Sequence, residues 1–180
     1  MNSLYRFLSG ALLILPMAVL SNYACAETTY SKIIYNEATK SYFQYIEHDL
    51  RHSIQWPAAD RLARGRTYKG VHGRLALVPN QEVNNFLRDH FPIDTWVWIG
   101  LRHFCKFGKS VWVNGQGLDL ESYQNWDQRW YRTDINCKKR PPPVFMPVYY
   151  TPQKNGFRWQ ASGPGKAMYG YFVEYPTGGP

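Results

Sequence analysis

The stretch 95–126 constrains the fold more than any other part of this chain, because it holds four of the seven tryptophans. Its first segment alternates Trp96 and Trp98 with Val97 and Ile99. Both sets of alternating positions are apolar, so we expect a strand that is buried on both faces. Aromatic and β-branched residues in this pattern favour a β core rather than a helical one.

A turn is predicted at Asn114-Gly115, the strongest short-range turn signal in the chain. It follows the apolar run Val111-Trp112-Val113. We therefore expect a central hairpin from Trp98 to Val113.

The first 26 residues have the pattern of a secretory signal peptide. Arg6 precedes an apolar run, residues 8–20, which is too short and too interrupted for a good membrane span. Ala24-Cys25-Ala26 fits an Ala-x-Ala cleavage site. A lipoprotein acylated at Cys25 is the alternative, but the residues before Cys25 do not follow the usual lipoprotein pattern. We predict cleavage after Ala26 and a secreted or periplasmic protein.

The net charge of +8 indicates a preference for anionic partners, such as acidic glycans, lipid headgroups or an acidic protein surface. A soluble protein with a modest positive excess is also consistent with this charge. Any membrane contact would be peripheral, and an exported chain is not expected to bind nucleic acid. The aromatic content of 17% argues against disorder.

Cleavage after Ala26 would leave two cysteines, Cys105 and Cys137. In an oxidising compartment they can form a disulfide. In the chain-entropy model, closing this loop would stabilise the folded state by on the order of 3–4 kcal/mol. Reduced thiols or half of a metal site are the alternatives. Neither cysteine has a His or Cys at ligand spacing beside it, which argues against a metal.

The N-terminal part of the mature chain predicts an arm followed by a strand. Residues 27–40 form the arm, with a short strand at Ile33-Ile34-Tyr35. Residues 41–47 are rich in strand formers and predict the first strand of the domain.

Two helices follow. The first is predicted over residues 53–65, capped by Ser53, with Pro57 in its first turn and Ala58 and Leu62 on its core face. The second is predicted over residues 81–90, beginning at Asn80. Its core face would be formed by apolar residues at helical spacing: Val83, Phe86 and Leu87.

The densest group of basic residues lies in and after the first helix: Arg61, Arg64, Arg66, Lys69 and Arg74. A solvated helix face is the favoured interpretation. A dedicated anion site is the alternative.

A long irregular loop is predicted over residues 127–143, and loops of this length are usually functional or mobile. Short strands are predicted after it, at residues 144–150, 157–160 and 169–175, followed by a tail at 177–180.

Several short motifs occur in a characteristic order: Trp56-Pro57-Ala58-Ala59, Gly73-Arg74-Leu75-Ala76, residues 80–87, Trp98-Ile99-Gly100-Leu101, and Asn125-Trp126. In this order they resemble the C-type lectin-like domain, in the cysteine-poor form found in bacterial proteins. Residues 169–175 look like the last strand of that domain. The resemblance covers roughly residues 41–176.

The resemblance implies an α+β fold in which two helices flank small antiparallel sheets, with a long loop region. Both termini would lie on one small sheet, and a second sheet would carry the long loop. Cys105 and Cys137 would then tie the long loop to the central hairpin. The implied core consists of these residues: Leu75, Leu77, Val83, Phe86, Trp98, Leu101, Trp112, Trp126, Phe172 and Tyr175.

The calcium ligands of the family are missing. Calcium-dependent members have a Glu-Pro-Asn or Gln-Pro-Asp triplet in the loop and a Trp-Asn-Asp triplet on the following strand, because Ca²⁺ takes six to eight oxygens. This chain has Pro141-Pro142-Pro143 in the loop and Trp159-Gln160-Ala161 on the strand. We therefore predict no metal and no other cofactor.

An enzyme is not expected. The sequence lacks the Gly-x-Ser-x-Gly motif, a phosphate loop and a dinucleotide fingerprint. The pair His48 and His52, which straddles a strand end, is better explained as two surface histidines.

We expect instead a non-enzymatic binding module that recognises a protein or glycan through its long-loop face. Trp, Tyr and Arg are enriched at binding hot spots. The predicted ligand-binding residues are Arg129, Trp130, Tyr131, Arg132, Lys138, Lys139, Arg140 and Trp159. Trp130 and Tyr131 could instead fold back on the loop. Two further alternatives are recognition of anionic glycans or lipid headgroups by the basic patches, and a structural role in a surface assembly.

Overall fold

Strand pairing organises the protein in a computed structural model that describes residues 28–49, 52–128, 137, 141–163 and 165–180. The strands are β1 Thr28–Tyr30, β2 Ile34–Asn36, β3 Ser41–His48, β4 Ile54–Gln55, β5 Thr67–Tyr68, β6 Val71–His72, β7 Arg74–Leu75, β8 Val97–Phe104, β9 Lys109–Trp112, β10 Gly117–Leu118, β11 Met146–Tyr150, β12 Trp159–Ala161, β13 Ala167–Met168 and β14 Gly170–Tyr175. The helices are α1 Trp56–Gly65, α2 Gln81–His90 and a 3-10 turn at Gln153–Asn155.

The main sheet runs in the order β1-β3-β14-β8-β11-β12. Strand β3, predicted as the first strand of the domain, and the C-terminal strand β14 are antiparallel neighbours, as the resemblance implied. Strand β14 pairs with β8 in parallel, through Gly170 with Val97 and Tyr171 with Trp98. This pair joins the two small sheets that were expected into one mixed sheet. The predicted N-terminal arm supplies β1 and β2, which both pair with β3.

The helices show where local sequence signals succeed and where tertiary pairing overrides them. Helix α2 begins as predicted, with Val83 N donating to Asn80 Oδ1 at 2.9 Å. Helix α1 begins later than predicted, at Trp56, because Ile54 and Gln55 pair with β13 instead. Its buried residues are Trp56, Ala59 and Ala63 rather than the predicted Ala58 and Leu62.

The predicted central hairpin is present as β8 and β9, while the Asn114-Gly115 turn connects β9 to β10. Gly115 adopts φ +91°, and its N–H donates to Trp112 O at 2.9 Å. Two members of the core prediction, Phe86 and Trp126, are only partly buried. Trp96 is 42% exposed, because the strand begins one residue after it.

The Trp-Ile-Gly-Leu segment, residues 98–101, packs tightly against neighbouring segments of the core. Trp98 Nε1 donates to Ile54 O at 2.7 Å, and Trp56 Nε1 donates to Ile99 O at 2.8 Å. These bonds satisfy both indole N–H groups and join β8 to strand β4 and to helix α1. A Cβ at Gly100 would lie 2.6 Å from Leu75 O, so only glycine allows the two backbones to approach this closely.

A buried carboxylate, Glu174, joins three segments of the domain. It accepts hydrogen bonds from Arg74 Nη2 at 2.9 Å, from Ser41 Oγ at 3.1 Å and from Leu77 N at 3.1 Å. The side chain of Glu174 is only 4% exposed. The sequence placed Arg74 in a basic cluster and did not predict this ion pair.

We predict that Glu174→Gln lowers the free energy of unfolding by on the order of 2–4 kcal/mol, because it leaves a partly buried guanidinium without its counter-charge. Urea denaturation followed by tryptophan fluorescence measures the change. Asp89→Asn, which breaks the exposed pair with Arg88, is the matched control and should leave the midpoint unchanged. Equal midpoints for both variants would contradict this role of Glu174.

Candidate functional site

The long loop begins beside strand β12. Asp127 N donates to Trp159 O at 2.9 Å, and Trp159 N donates to Asn125 O at 2.8 Å. These bonds hold the start of the loop alongside β12. Asn125 Nδ2 also donates to Asn84 Oδ1 and to Phe157 O, both at 2.8 Å. The loop therefore leaves the core from a segment with fixed backbone and side-chain partners.

A buried tyrosine completes this anchor. Tyr150 Oη donates to Asn84 Oδ1 at 2.7 Å, so Asn84 accepts from both Tyr150 and Asn125. Burial raises the pKa of Tyr150 well above its ordinary value, which keeps the hydroxyl protonated as a donor.

The prediction that Trp159 contacts a ligand is wrong. Its side chain is fully buried. The rings of Trp112, Tyr123 and Trp126 meet it edge to face, with centroids 5.7, 5.8 and 5.7 Å away. A strand residue that packs against three aromatic rings is a core residue, and the sequence pattern alone did not separate that role from a binding role.

The other predicted ligand contacts lie outside the described residues: Arg129, Trp130, Tyr131, Arg132, Lys138, Lys139 and Arg140. Their role stays a prediction. The described parts of the loop are its beginning, its cysteine and its end from residue 141 onward.

The disulfide between Cys105 and Cys137 is confirmed. Their Cα atoms are 5.2 Å apart across 32 residues of sequence. Cys105 follows the end of β8, so the bond ties the long loop to the tip of the central hairpin, as the resemblance implied.

A cavity of about 570 Å³ lies against this disulfide. Its lining is mostly apolar: Phe104, Cys105, Lys106, Phe107, Cys137, Pro142, Pro143 and Val144. Phe107 is 65% exposed and Val144 is 78% exposed. Large apolar side chains exposed together around a concave surface are typical of a contact site. We call this surface the disulfide cavity.

Sequence reasoning missed Phe107 and Val144. The available signals were weak: a single Phe between glycine and lysine neighbours at a hairpin tip, and a single Val after three prolines. Neither residue is part of a hydrophobic pattern with helix or strand periodicity. The pairing of β8 with β11, through His103 and Met146, and the disulfide together bring the two segments next to each other.

The position of the family's calcium ligands is filled by an amide. Gln160 Nε2 donates to Asp127 Oδ2 at 2.8 Å, and Gln160 Oε1 accepts from Tyr149 Oη at 2.7 Å. Asp127 is 8% exposed. The amide of Gln160 therefore uses both of its ends within the protein.

Within the described part of the chain, no group of three or more His, Cys, Asp and Glu side chains is placed to hold a metal ion. The same part of the chain contains no helix that is both long enough and apolar enough to span a membrane.

The basic cluster is divided by the fold. Arg64 pairs with Asp60 at 3.1 Å and Arg74 pairs with Glu174 at 2.9 Å. The ammonium of Lys69 lies over the ring of Tyr42, 5.0 Å from its centroid. These three residues therefore do not form one basic patch. Arg61 and Arg66 remain and line a separate cavity.

Residues 68–154 match the family model of the lectin C-type domain. The chain contains a C-type lectin-like domain. Human lithostathine has this fold: it matches at 20% identity with a TM-score of 0.55, over 92% of this chain and 97% of that one. The carbohydrate-recognition domain of the human scavenger receptor C-type lectin matches at 15% identity and a TM-score of 0.55, over 76% and 91% of the two chains.

Two further comparisons place this lectin-like domain among diverse relatives. The Ca²⁺-independent C-type lectin SPL-2 from Saxidomus purpuratus matches at 13% identity with a TM-score of 0.53, over 77% of this chain and 88% of that one. Halomucin of Haloquadratum walsbyi is 25% identical over 158 residues, which is 82% of this chain but only 2% of halomucin. The chain thus spans a very small part of that curated relative.

We predict that Cys105→Ala/Cys137→Ala lowers the free energy of unfolding of the lectin-like domain by on the order of 3–4 kcal/mol, since the unfolded chain gains the entropy of an open loop. Urea denaturation measures the loss, and wild-type protein under reducing conditions should match the double variant. Unchanged stability in the double variant would contradict a structural role for the disulfide.

Proposed function

We propose that this protein is an exported, non-enzymatic binding module that recognises a protein or glycan ligand through its long-loop face without calcium. The fold supports the general role, since C-type lectin-like domains are generally binding modules. The single observation that carries the location is the disulfide cavity with its exposed apolar rim.

The disulfide cavity has the features of a preformed contact surface. Its rim side chains, Phe107 and Val144, come from the hairpin tip and from the end of the long loop. The Cys105–Cys137 bond fixes these segments relative to each other, which reduces the entropy lost when a ligand binds. Lys106 Nζ lies 5.5 Å from the centroid of Phe107, so the rim offers a cation beside an aromatic face.

Gln160 supports the calcium-independent part of the proposal. A Ca²⁺ site needs six to eight oxygens and several carboxylates. Here an amide donates to Asp127 from the strand that carries the calcium-binding triplet in calcium-dependent relatives. The similarity to SPL-2, a lectin named as Ca²⁺-independent, points the same way.

The disulfide also supports export. Such bonds form and persist in oxidising compartments. The predicted signal peptide, residues 1–26, lies outside the described residues, and its cleavage after Ala26 is part of the proposal.

Ligand contacts at Arg129, Trp130, Tyr131, Arg132 and at residues 138–140 belong to the proposal as well. These positions fall within the same loop, between Asp127 and the prolines that line the disulfide cavity. Pro142 and Pro143, which line the cavity, come soon after the basic segment 138–140 in the sequence.

The proposal is tested by an array of glycans, lipids and proteins, probed in the presence and in the absence of chelator. We expect a ligand that is retained with chelator present. Phe107→Ala should then weaken its affinity about tenfold or more, as expected for an exposed aromatic anchor. Leu120→Ala is the matched control, because Leu120 is 96% exposed but does not line the cavity.

Three results would count against the proposal. Loss of all binding with chelator would exclude the calcium-independent part. Equal effects of Phe107→Ala and Leu120→Ala would exclude the disulfide cavity as the site. Turnover of a captured ligand would exclude a purely binding role.

A further inference from the structure

A second cavity of about 400 Å³ lies between helix α1 and the strands β1, β3 and β14. Its lining includes Tyr30, His48, Arg61, Leu62, Arg66 and Tyr171. We call it the arginine pocket. Among the described residues it shares none of its lining with the disulfide cavity, so the proposal made for it stands independently of the proposed function.

The arginine pocket concentrates positive charge that the described residues do not neutralise. Of the acidic residues next to the pocket's lining residues in sequence, Asp60 pairs with Arg64 at 3.1 Å and Asp49 lies 3.9 Å from His52. Among the described residues, neither Arg61 nor Arg66 has a carboxylate within ion-pair distance. Arginine guanidinium groups facing a concave surface are typical recognition groups for oxyanions.

Arg66 is held in place before any ligand arrives. Its guanidinium carbon lies 4.7 Å from the centroid of Tyr30, and its Nε donates to Tyr171 Oη at 3.5 Å. The hydroxyls of Tyr30 and Tyr175 are further hydrogen-bond partners of this guanidinium. A guanidinium has five N–H groups, so three tyrosine hydroxyls do not use all of them.

His48 adds a further polar group to the wall of the pocket. Its Nε2 is buried and has no hydrogen-bond partner. Burial, together with the charge of Arg66, lowers the pKa of His48, so the imidazole is neutral at pH 7. A neutral ring can donate one hydrogen bond from Nε2, depending on its tautomer.

The geometry points to a binding site for a small organic oxyanion, a carboxylate, sulfate or phosphate ester, with its charged group on Arg61 and Arg66 and its apolar part against Tyr30 and Leu62. Tyr30 is 55% exposed and Leu62 is 44% exposed, so the pocket has an apolar wall open to a ligand. Water occupies roughly 30 Å³ per molecule, so the cavity exceeds what a bare ion fills. None of the described lining residues belongs to strand β12 or to the described parts of the long loop.

The test is isothermal titration of the full exported chain with phenyl phosphate, inorganic phosphate and benzyl alcohol. We expect saturable one-to-one binding of phenyl phosphate, weaker binding of inorganic phosphate, and none of benzyl alcohol. Arg61→Gln should weaken phenyl phosphate binding about tenfold or more, the effect of one charge-assisted hydrogen bond. Arg61 has no hydrogen-bond or ion-pair partner in the part of the chain that the structure describes, so this variant should fold normally.

Arg64→Gln is the matched control, because it removes the same charge from the same helix at a residue already paired with Asp60. It should change the affinity less than twofold. Equal weakening by Arg61→Gln and Arg64→Gln would overturn the proposal, because it would show attraction by net charge alone. Absence of saturable phenyl phosphate binding, or equal affinity for inorganic phosphate, would overturn it as well.

Discussion

The buried indole of Trp159 is the contact between the sheet and the start of the long loop. Trp112, Tyr123 and Trp126 meet it edge to face, and its backbone bonds to both sides of Trp126. Each such ring pair contributes about 0.5–1.5 kcal/mol beyond the area that it buries. The start of the loop at Asp127 is therefore fixed by the core, and the disulfide fixes a later point of the loop.

The burial of Trp159 determines the side-chain direction of the next residue, Gln160. Side chains alternate along β12, so the residue after a buried Trp points away from the core. There the amide joins Asp127 to Tyr149. Hydrogen bonds within the protein thus link the strand to the start of the loop.

The sequence predicted those parts of the fold that depend on local chemistry or on an ordered set of motifs. Asn80 capped helix α2 as expected, and the cysteine pair formed the expected disulfide. The prediction from sequence failed where contact with a distant segment determines the local structure. Ile54 left the predicted first helix because β13 pairs with it, and Trp159 is core because three rings converge on it. Phe107 is part of a candidate site because the β8–β11 pairing and the disulfide bring it next to residues far along the chain.

We propose that a hydrogen-bonded Gln160, rather than a calcium ion, links strand β12 to the start of the long loop at Asp127. Titration of the metal-free protein with calcium chloride, with thermal unfolding recorded in calcium and in chelator, tests this most directly. The account predicts no saturable heat and the same unfolding temperature in both solutions. Stoichiometric binding with a rise in the unfolding temperature would contradict it, because a ligand that binds the folded state stabilises that state.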